Sequence, residues 1–174
     1  MFHKIMFAKL LKKFSLITLA VIILLFLVST GIKEKPVWKL KYNGLLDYPE
    51  DRGEVEMKEQ LIEDKPIYTI EKISYTSGDA GISGLLFLPK KQSVPGMVIL
   101  PGANGKKENH LELGRELALE GYALLTIDQR GIGETGETVN TMEQDFEMYV
   151  NNEEPVQHKM VFDALLAFDV LREQ

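Results

Sequence analysis

The chain has 174 residues, 45% hydrophobic and 26% charged, which suits one domain with its own core and argues against disorder. It contains no cysteine, so disulfides and thiolate metal sites are excluded, and its three histidines, His3, His110 and His158, stand too far apart to suggest a metal cluster. Net charge is −6; setting aside the four lysines of residues 1–32, a segment without an acid, leaves −10 on residues 33–174, a surface that repels nucleic acid.

The first 32 residues form their own region. Lys4, Lys9, Lys12 and Lys13 precede residues 14–32, a run of 19 without a charge. At 1.5 Å per residue such a run just crosses a hydrocarbon core of about 30 Å. A secretory signal has the same layout, but Leu27-Val28-Ser29-Thr30-Gly31 is a poor cleavage site and there is no lipobox cysteine. The expectation is a single-pass anchor that meets the membrane through residues 14–32, with a cleaved signal as the alternative. Lys33, Lys35, Lys39 and Lys41 balance the lysines on the near side, so the lean towards a domain outside the cytoplasm is slight.

Residues 33–66 read as a stalk, broken by Pro36, Gly44, Pro49, Gly53 and Pro66, with a short helix expected around 55–62. From residue 67 the pattern becomes that of a domain running to 174. Alternation over 67–75, turn residues over 77–81 and a second apolar run over 82–88 predict an antiparallel edge hairpin. Residues 97–100 are apolar without alternation, as in a strand buried on both faces. Asn109 with Glu112 suggests a capping box, Leu111, Leu113, Leu117 and Leu119 an apolar helix face, and Gly121 its end. Residues 122–127 supply the next buried strand, so the expected architecture is a mixed α/β sheet in which the hairpin leads into parallel strands. Residues 138–152 are acidic, with a helical turn or two around 142–149. A long helix over 157–172 follows, its apolar stripe placed on Met160, Val161, Ala164, Leu165, Phe168 and Leu171 and widened by Phe162, Leu166, Ala167 and Val170, with Asp163, Asp169 and Arg172 outside it, as for a helix packed under a sheet.

Three glycine patterns invite phosphate chemistry and fail. Gly131-Ile132-Gly133-Glu134-Thr135-Gly136 is a formal G-x-G-x-x-G, but three residues separate it from the strand, and Glu134 would oppose a phosphate. Gly102-Ala103-Asn104-Gly105-Lys106-Lys107 has the wrong glycine spacing for a Walker loop and no Ser or Thr after its lysine. Gly81-Ile82-Ser83-Gly84 lacks the last glycine of a nucleophile elbow and falls within a strand. No nucleotide, metal or other cofactor is expected.

Taken together, a buried strand ending in Pro101-Gly102-Ala103-Asn104-Gly105, a helix, and a strand ending in Asp128-Gln129-Arg130-Gly131-Ile132-Gly133-Glu134-Thr135 resemble the α/β-hydrolase family, in its dienelactone-hydrolase and prolyl-oligopeptidase-like branches. The resemblance covers residues 67–174, the N-terminal half of such a domain. It implies a partial α/β-hydrolase fold, serine-hydrolase ancestry acting on small esters, and an oxyanion-hole amide from Ala103 or, second, Asn104. Gly102, Asp128, Arg130 and Gly131 would then form the supporting loop, with an Asp128–Arg130 pair holding the turn. The family's nucleophile in G-x-S-x-G, and the acid and histidine after it, have no counterpart here, and every serine precedes the oxyanion turn. The expectation is a chain truncated before its nucleophile and inactive alone, completed by a C-terminal half or associating with itself. Its alternatives are a membrane-tethered binding module without catalysis, or a non-functional fragment of a split gene.

Overall fold

The computed structural model describes residues 38–136 and 139–174, so the anchor expected at 14–32 lies outside the described residues. Among the described residues no helix is long and apolar enough to cross a membrane. Val37–Gln174 forms one compact unit. In chain order it carries a short antiparallel ribbon, β1 (Lys39–Leu40) and β2 (Leu46–Asp47), then β3 (Met57–Asp64), β4 (Tyr68–Ser77), β5 (Ala80–Pro89) and β6 (Gly96–Ile99). A 3₁₀ turn (Lys107–His110) opens α1 (Leu111–Glu120), followed by β7 (Ala123–Ile127), α2 (Met142–Val150) and α3 (Val156–Arg172). The main sheet runs β3-β4-β5-β7-β6, with β6 and β7 parallel and the other pairings antiparallel. The expected hairpin and parallel pair are both present in a mixed α/β fold, but their places differ: β3 covers the hairpin, which is not at the edge, and β6, expected to be buried on both faces, is the other outer strand, with Met97, Val98 and Ile99 only partly buried.

Alternation sorts the strand residues onto two faces. Ile73, Tyr75, Ile82, Leu86, Leu125 and Ile127 face α3 and bury Leu166, Ala167, Val170 and Leu171. On the other face Tyr68, Ile70, Leu85, Phe87 and Leu124 meet α1 through Ala118. Each fully buried aliphatic or aromatic side chain contributes about 1.5–3 kcal/mol, so the fold rests on these two layers. Gly114 is what lets α1 come close: a Cβ there would lie 2.5 Å from the Phe87 ring. Gly114→Ala should therefore destabilise by about 1–3 kcal/mol although alanine is the better helix former, because overpacking outweighs a propensity gain of about 1 kcal/mol. Urea unfolding decides it, and a stabilised variant would show that the ring yields freely.

Three further sequence expectations need correction. The stalk of residues 33–66 does not carry a helix around 55–62; Met57–Asp64 pairs with β4 from Met57↔Tyr75 to Asp64↔Thr69, with a bulge between Leu61 and Glu63. Its charges, Lys58, Glu59, Glu63 and Asp64, suit an outer strand whose faces are largely solvated, which from sequence reads as a charged surface run. The segment before it is also fastened to α3: the Arg52 guanidinium makes a two-pronged ion pair with Asp169, and the Tyr48 ring stacks on Phe162 at 6.4 Å. Second, α1 has no Asn109 capping box. The Lys107 amide is taken by Asp128, the chain enters through the 3₁₀ turn, and His110 precedes the helix without a side-chain cap. Gly121 does end it, at φ +93°, a left-handed position that glycine occupies without a side-chain penalty. Third, the wide stripe on α3 does pack under the sheet through Leu166, Ala167, Val170 and Leu171, but Val161 and Phe168 stand about half exposed, and Asp163 and Asp169, expected outside it, are buried, each turned inward to an arginine.

Candidate functional site

Parallel pairing brings the carboxyl ends of β6 and β7 to the same edge of the sheet, the edge where open α/β sheets hold ligands. The chain leaves β6 into a tight turn closed by the Gly105 amide donating to the Gly102 carbonyl at 2.8 Å. A Cβ on Gly105 would press against that same oxygen at 2.9 Å, and Asn104 takes φ +60°. Ala103 and Asn104 form the exposed crest, and neither backbone N–H has an acceptor among the described residues.

The loop after β7 is pinned from below. Asp128, fully buried, accepts the Lys107 amide at 2.8 Å, the Lys107 ammonium at 2.6 Å and the Glu134 amide at 2.9 Å. Its own amide donates to the Ser83 carbonyl, and Thr135 joins the same strands by donating to the Asp128 carbonyl while accepting from the Ser83 amide. Gly133, at φ +55°, leaves the space that the Asp128 carboxylate fills; a Cβ would land on it. Lys107 is buried and also reaches Glu108 at 2.9 Å and Glu134 at 3.1 Å. Glu134 in turn accepts from Lys72 at 2.7 Å and from the Ser83 hydroxyl at 2.9 Å.

The expected Asp128–Arg130 pair is replaced by two separate ones. Asp128 continues the β7 alternation towards α1 and meets Lys107, whereas Arg130, past the strand end, turns towards α3. Its Nε and Nη2 bind Asp163 at 2.8 and 3.0 Å, and its Nη1 binds Asp79 at 2.5 Å. Gly131 follows at φ +76°, the reversal between the two directions. Lys107, Glu134 and Asp163 were not singled out from sequence as site residues; the available signal was a lysine just after a glycine turn and an aspartate inside an apolar helix.

Burial alone would lower the Lys107 ammonium, but Asp128, Glu108 and Glu134 outweigh it and raise its pKa, so it stays charged and cannot serve as a general base. Lys72 foremost, then Lys107 and Ser83, hold Glu134 down to about 2; Asp79 also falls to about 2, where Arg130 and Lys159 overcome an opposing effect of burial. A carboxyl depressed in the folded state contributes stability that is present above its ordinary value near 4 and lost as pH falls towards 2. The fold should therefore lose stability steadily from about pH 4.5 to pH 2. Glu134→Gln should flatten that decline without altering its direction, and equal acid slopes in variant and parent would refute the role of Glu134.

Among the described residues no serine is hydrogen-bonded to a histidine. The Ser83 hydroxyl is committed to Glu134, His110 lies at the start of α1, and His158 sits in the first turn of α3 between Trp38 and Tyr149, at ring distances of 4.7 and 6.2 Å. Nor does any group of three or more His, Cys, Asp or Glu among these residues stand where it could hold a metal ion.

No family model matches the chain, and no curated protein matches it. Among solved structures it is similar to acetyl xylan esterase 1 from Thermoanaerobacterium sp. JW/SL YS485, with a TM-score of 0.48 and 14% identity over 64% of this chain and 38% of that one. It is also similar to a chain named m3DLH, with a TM-score of 0.40 and 27% identity over 68% and 44% of the two. The chain thus spans less than half the length of either.

Proposed function

We propose that residues 67–174 are the N-terminal part of an α/β-hydrolase domain of the carboxylesterase or dienelactone-hydrolase kind, anchored in a membrane or exported, in which the 101–105 turn supplies one oxyanion donor. The observation that carries this is the pairing of two constrained strand-end turns at one sheet edge, one crested by the unbonded amides of Ala103 and Asn104, the other fixed beneath it through Lys107 and Asp128. The nucleophile, its histidine and its acid are not among these residues, so acyl transfer from a small ester needs a complementing segment that brings a serine to the crest.

A fluorophosphonate probe should label nothing in the chain by itself, and labelling of any of its serines would overturn the proposed inactivity. When the chain is co-expressed with the product of the reading frame downstream of it, a serine on that product should be labelled. Ala103→Pro, which removes the amide, should then lower ester turnover by about 10²–10³-fold, the usual loss for one oxyanion donor. A co-expressed pair that stays unlabelled, or an Ala103→Pro pair with undiminished turnover, would remove the oxyanion assignment. The second reading, a binding module without catalysis, is favoured by the engagement of Ser83 with Glu134 and the absence of any serine–histidine contact among the described residues.

A further inference from the structure

Helix α2 is amphipathic but buries only one residue, Asp145. That carboxylate accepts the amides of Val156 at 3.1 Å and Gln157 at 2.9 Å, capping the start of α3, and also the Asn140 side-chain amide at 3.0 Å. At the other end of the first turn, Thr141 and Gln144 form a reciprocal capping box. A nine-residue helix is marginal on its own, so these polar fastenings fix it while its apolar side stays open. Met142, Phe146, Tyr149 and Val150 form that side, 73%, 66%, 40% and 59% exposed. Beside it lies a 260 Å³ groove, lined by Met142, Phe146 and Tyr149 of α2 and by Pro155 and His158 at the start of α3. Among the described residues the buried His158 Nδ1 has no hydrogen-bond partner, and the Trp38 ring meets it edge-on.

The charges of α2 itself are all acidic, and the nearest following cation, Lys159, is paired with Asp79. Residues 131–158 contain seven carboxylates, among them Glu143, Glu147, Glu153 and Glu154, and no lysine or arginine. We infer that α2 and the groove beside it dock a basic amphipathic helix of a partner protein. One apolar side chain of that helix fills the groove over His158, others spaced three and four residues on cover Phe146 and Val150, and its lysines or arginines meet Glu143 and Glu147. The same carboxylates repel an anionic lipid surface, and a two-fold contact between copies of this chain would set the acidic rim against itself. Exposed apolar surface of this kind, rimmed by charge, marks an interaction site.

Trp38 is the chain's sole tryptophan, so its emission reports the groove in the full-length protein. The probe is a tryptophan-free peptide of about 14 residues, leucines at helical spacing and lysines elsewhere, compared with a lysine-glycine peptide of equal charge and a leucine-glutamate peptide. The leucine-lysine peptide should shift Trp38 emission and bind at least about tenfold more tightly than either control, and the affinity should fall with added salt. Met142→Ser with Phe146→Ser, both exposed and expected to leave the thermal midpoint unchanged, should weaken it about tenfold or more. Equal binding of the lysine-glycine peptide, or affinity indifferent to the double substitution, would overturn the docking site. Self-association that Phe146→Ser abolishes in sedimentation would overturn it in favour of a second copy.

Discussion

Asp163→Ala should cost the fold about 3–5 kcal/mol, a large part of the 5–15 kcal/mol that holds a typical domain together. Arg130 and Asp163 are only 3% and 2% exposed, and the guanidinium meets the carboxylate with two nitrogens while also donating to the Ser77 carbonyl at 3.0 Å. The Ser77 hydroxyl adds a third bond to the same carboxylate. Removing that carboxylate takes two charge-assisted bonds from a buried guanidinium, while its bond to Asp79, half exposed at the rim, is retained. The share of the desolvation that Asp163 had offset then returns as a cost. Tyr75 donates to the Asp163 main-chain oxygen and keeps its bond, so the loss isolates the charge. Asp163→Asn, which preserves shape and one acceptor, should lose less, in the range of about 1.5–3 kcal/mol for a hydrogen bond to a charged group. Arg130→Met combined with Asp163→Leu should recover most of the deficit, since apolar replacement of a whole buried pair is often neutral. Urea unfolding followed by circular dichroism measures all three. A loss below about 1 kcal/mol for Asp163→Ala would mean that water reaches the pair and the buried-charge argument fails.

The same residue shows where sequence reading stops. Apolar runs and turn chemistry located β4, β5, β6, β7, α1 and α3, because an alternating or continuous apolar pattern is a direct consequence of burial on one or two faces. Gly121 was legible for the same kind of reason, a helix end that needs a left-handed residue. Charge misled in both directions. Lys58, Glu59, Glu63 and Asp64 looked like a solvated stalk and turned out to belong to an outer strand, where a solvated face and a strand are compatible. Asp163 and Asp169 looked like the wet side of a helix and are buried, because each has an arginine more than thirty residues away in sequence, Arg130 and Arg52. Buried pairs formed across the fold leave no local periodicity. At the candidate site the two glycine turns were visible as spacing, but their link was not. Lys107 entered the sequence argument as the residue that spoils a phosphate loop, and it is the cation that joins one turn to the other.

That link gives the second large effect. Asp128→Ala removes, in one step, the acceptor of two backbone amides and the closest partner of a buried ammonium. The expected cost is again about 3–5 kcal/mol. Lys107→Met is the informative contrast: it leaves Asp128 buried, but with the Lys107 and Glu134 amides still donating, since both are main-chain groups that the substitution retains. Its expected cost is smaller, about 1–3 kcal/mol. The two losses should not add, because the ammonium that Asp128→Ala strands is absent in the double variant, and the coupling should appear as a double-mutant deficit well below the sum. Hydrogen exchange supplies the local readout. In Asp128→Ala the amides of Lys107 and Glu134 should exchange faster, freeing the base of the 101–105 turn, whereas in Lys107→Met they should stay protected. Equal costs for the two single variants, with both amides still slow, would show that the aspartate acts only as a counter-charge. The geometry says otherwise: two of its three donors are backbone, so Asp128 sets where the crest of Ala103 and Asn104 stands, and the lysine is its counter-ion.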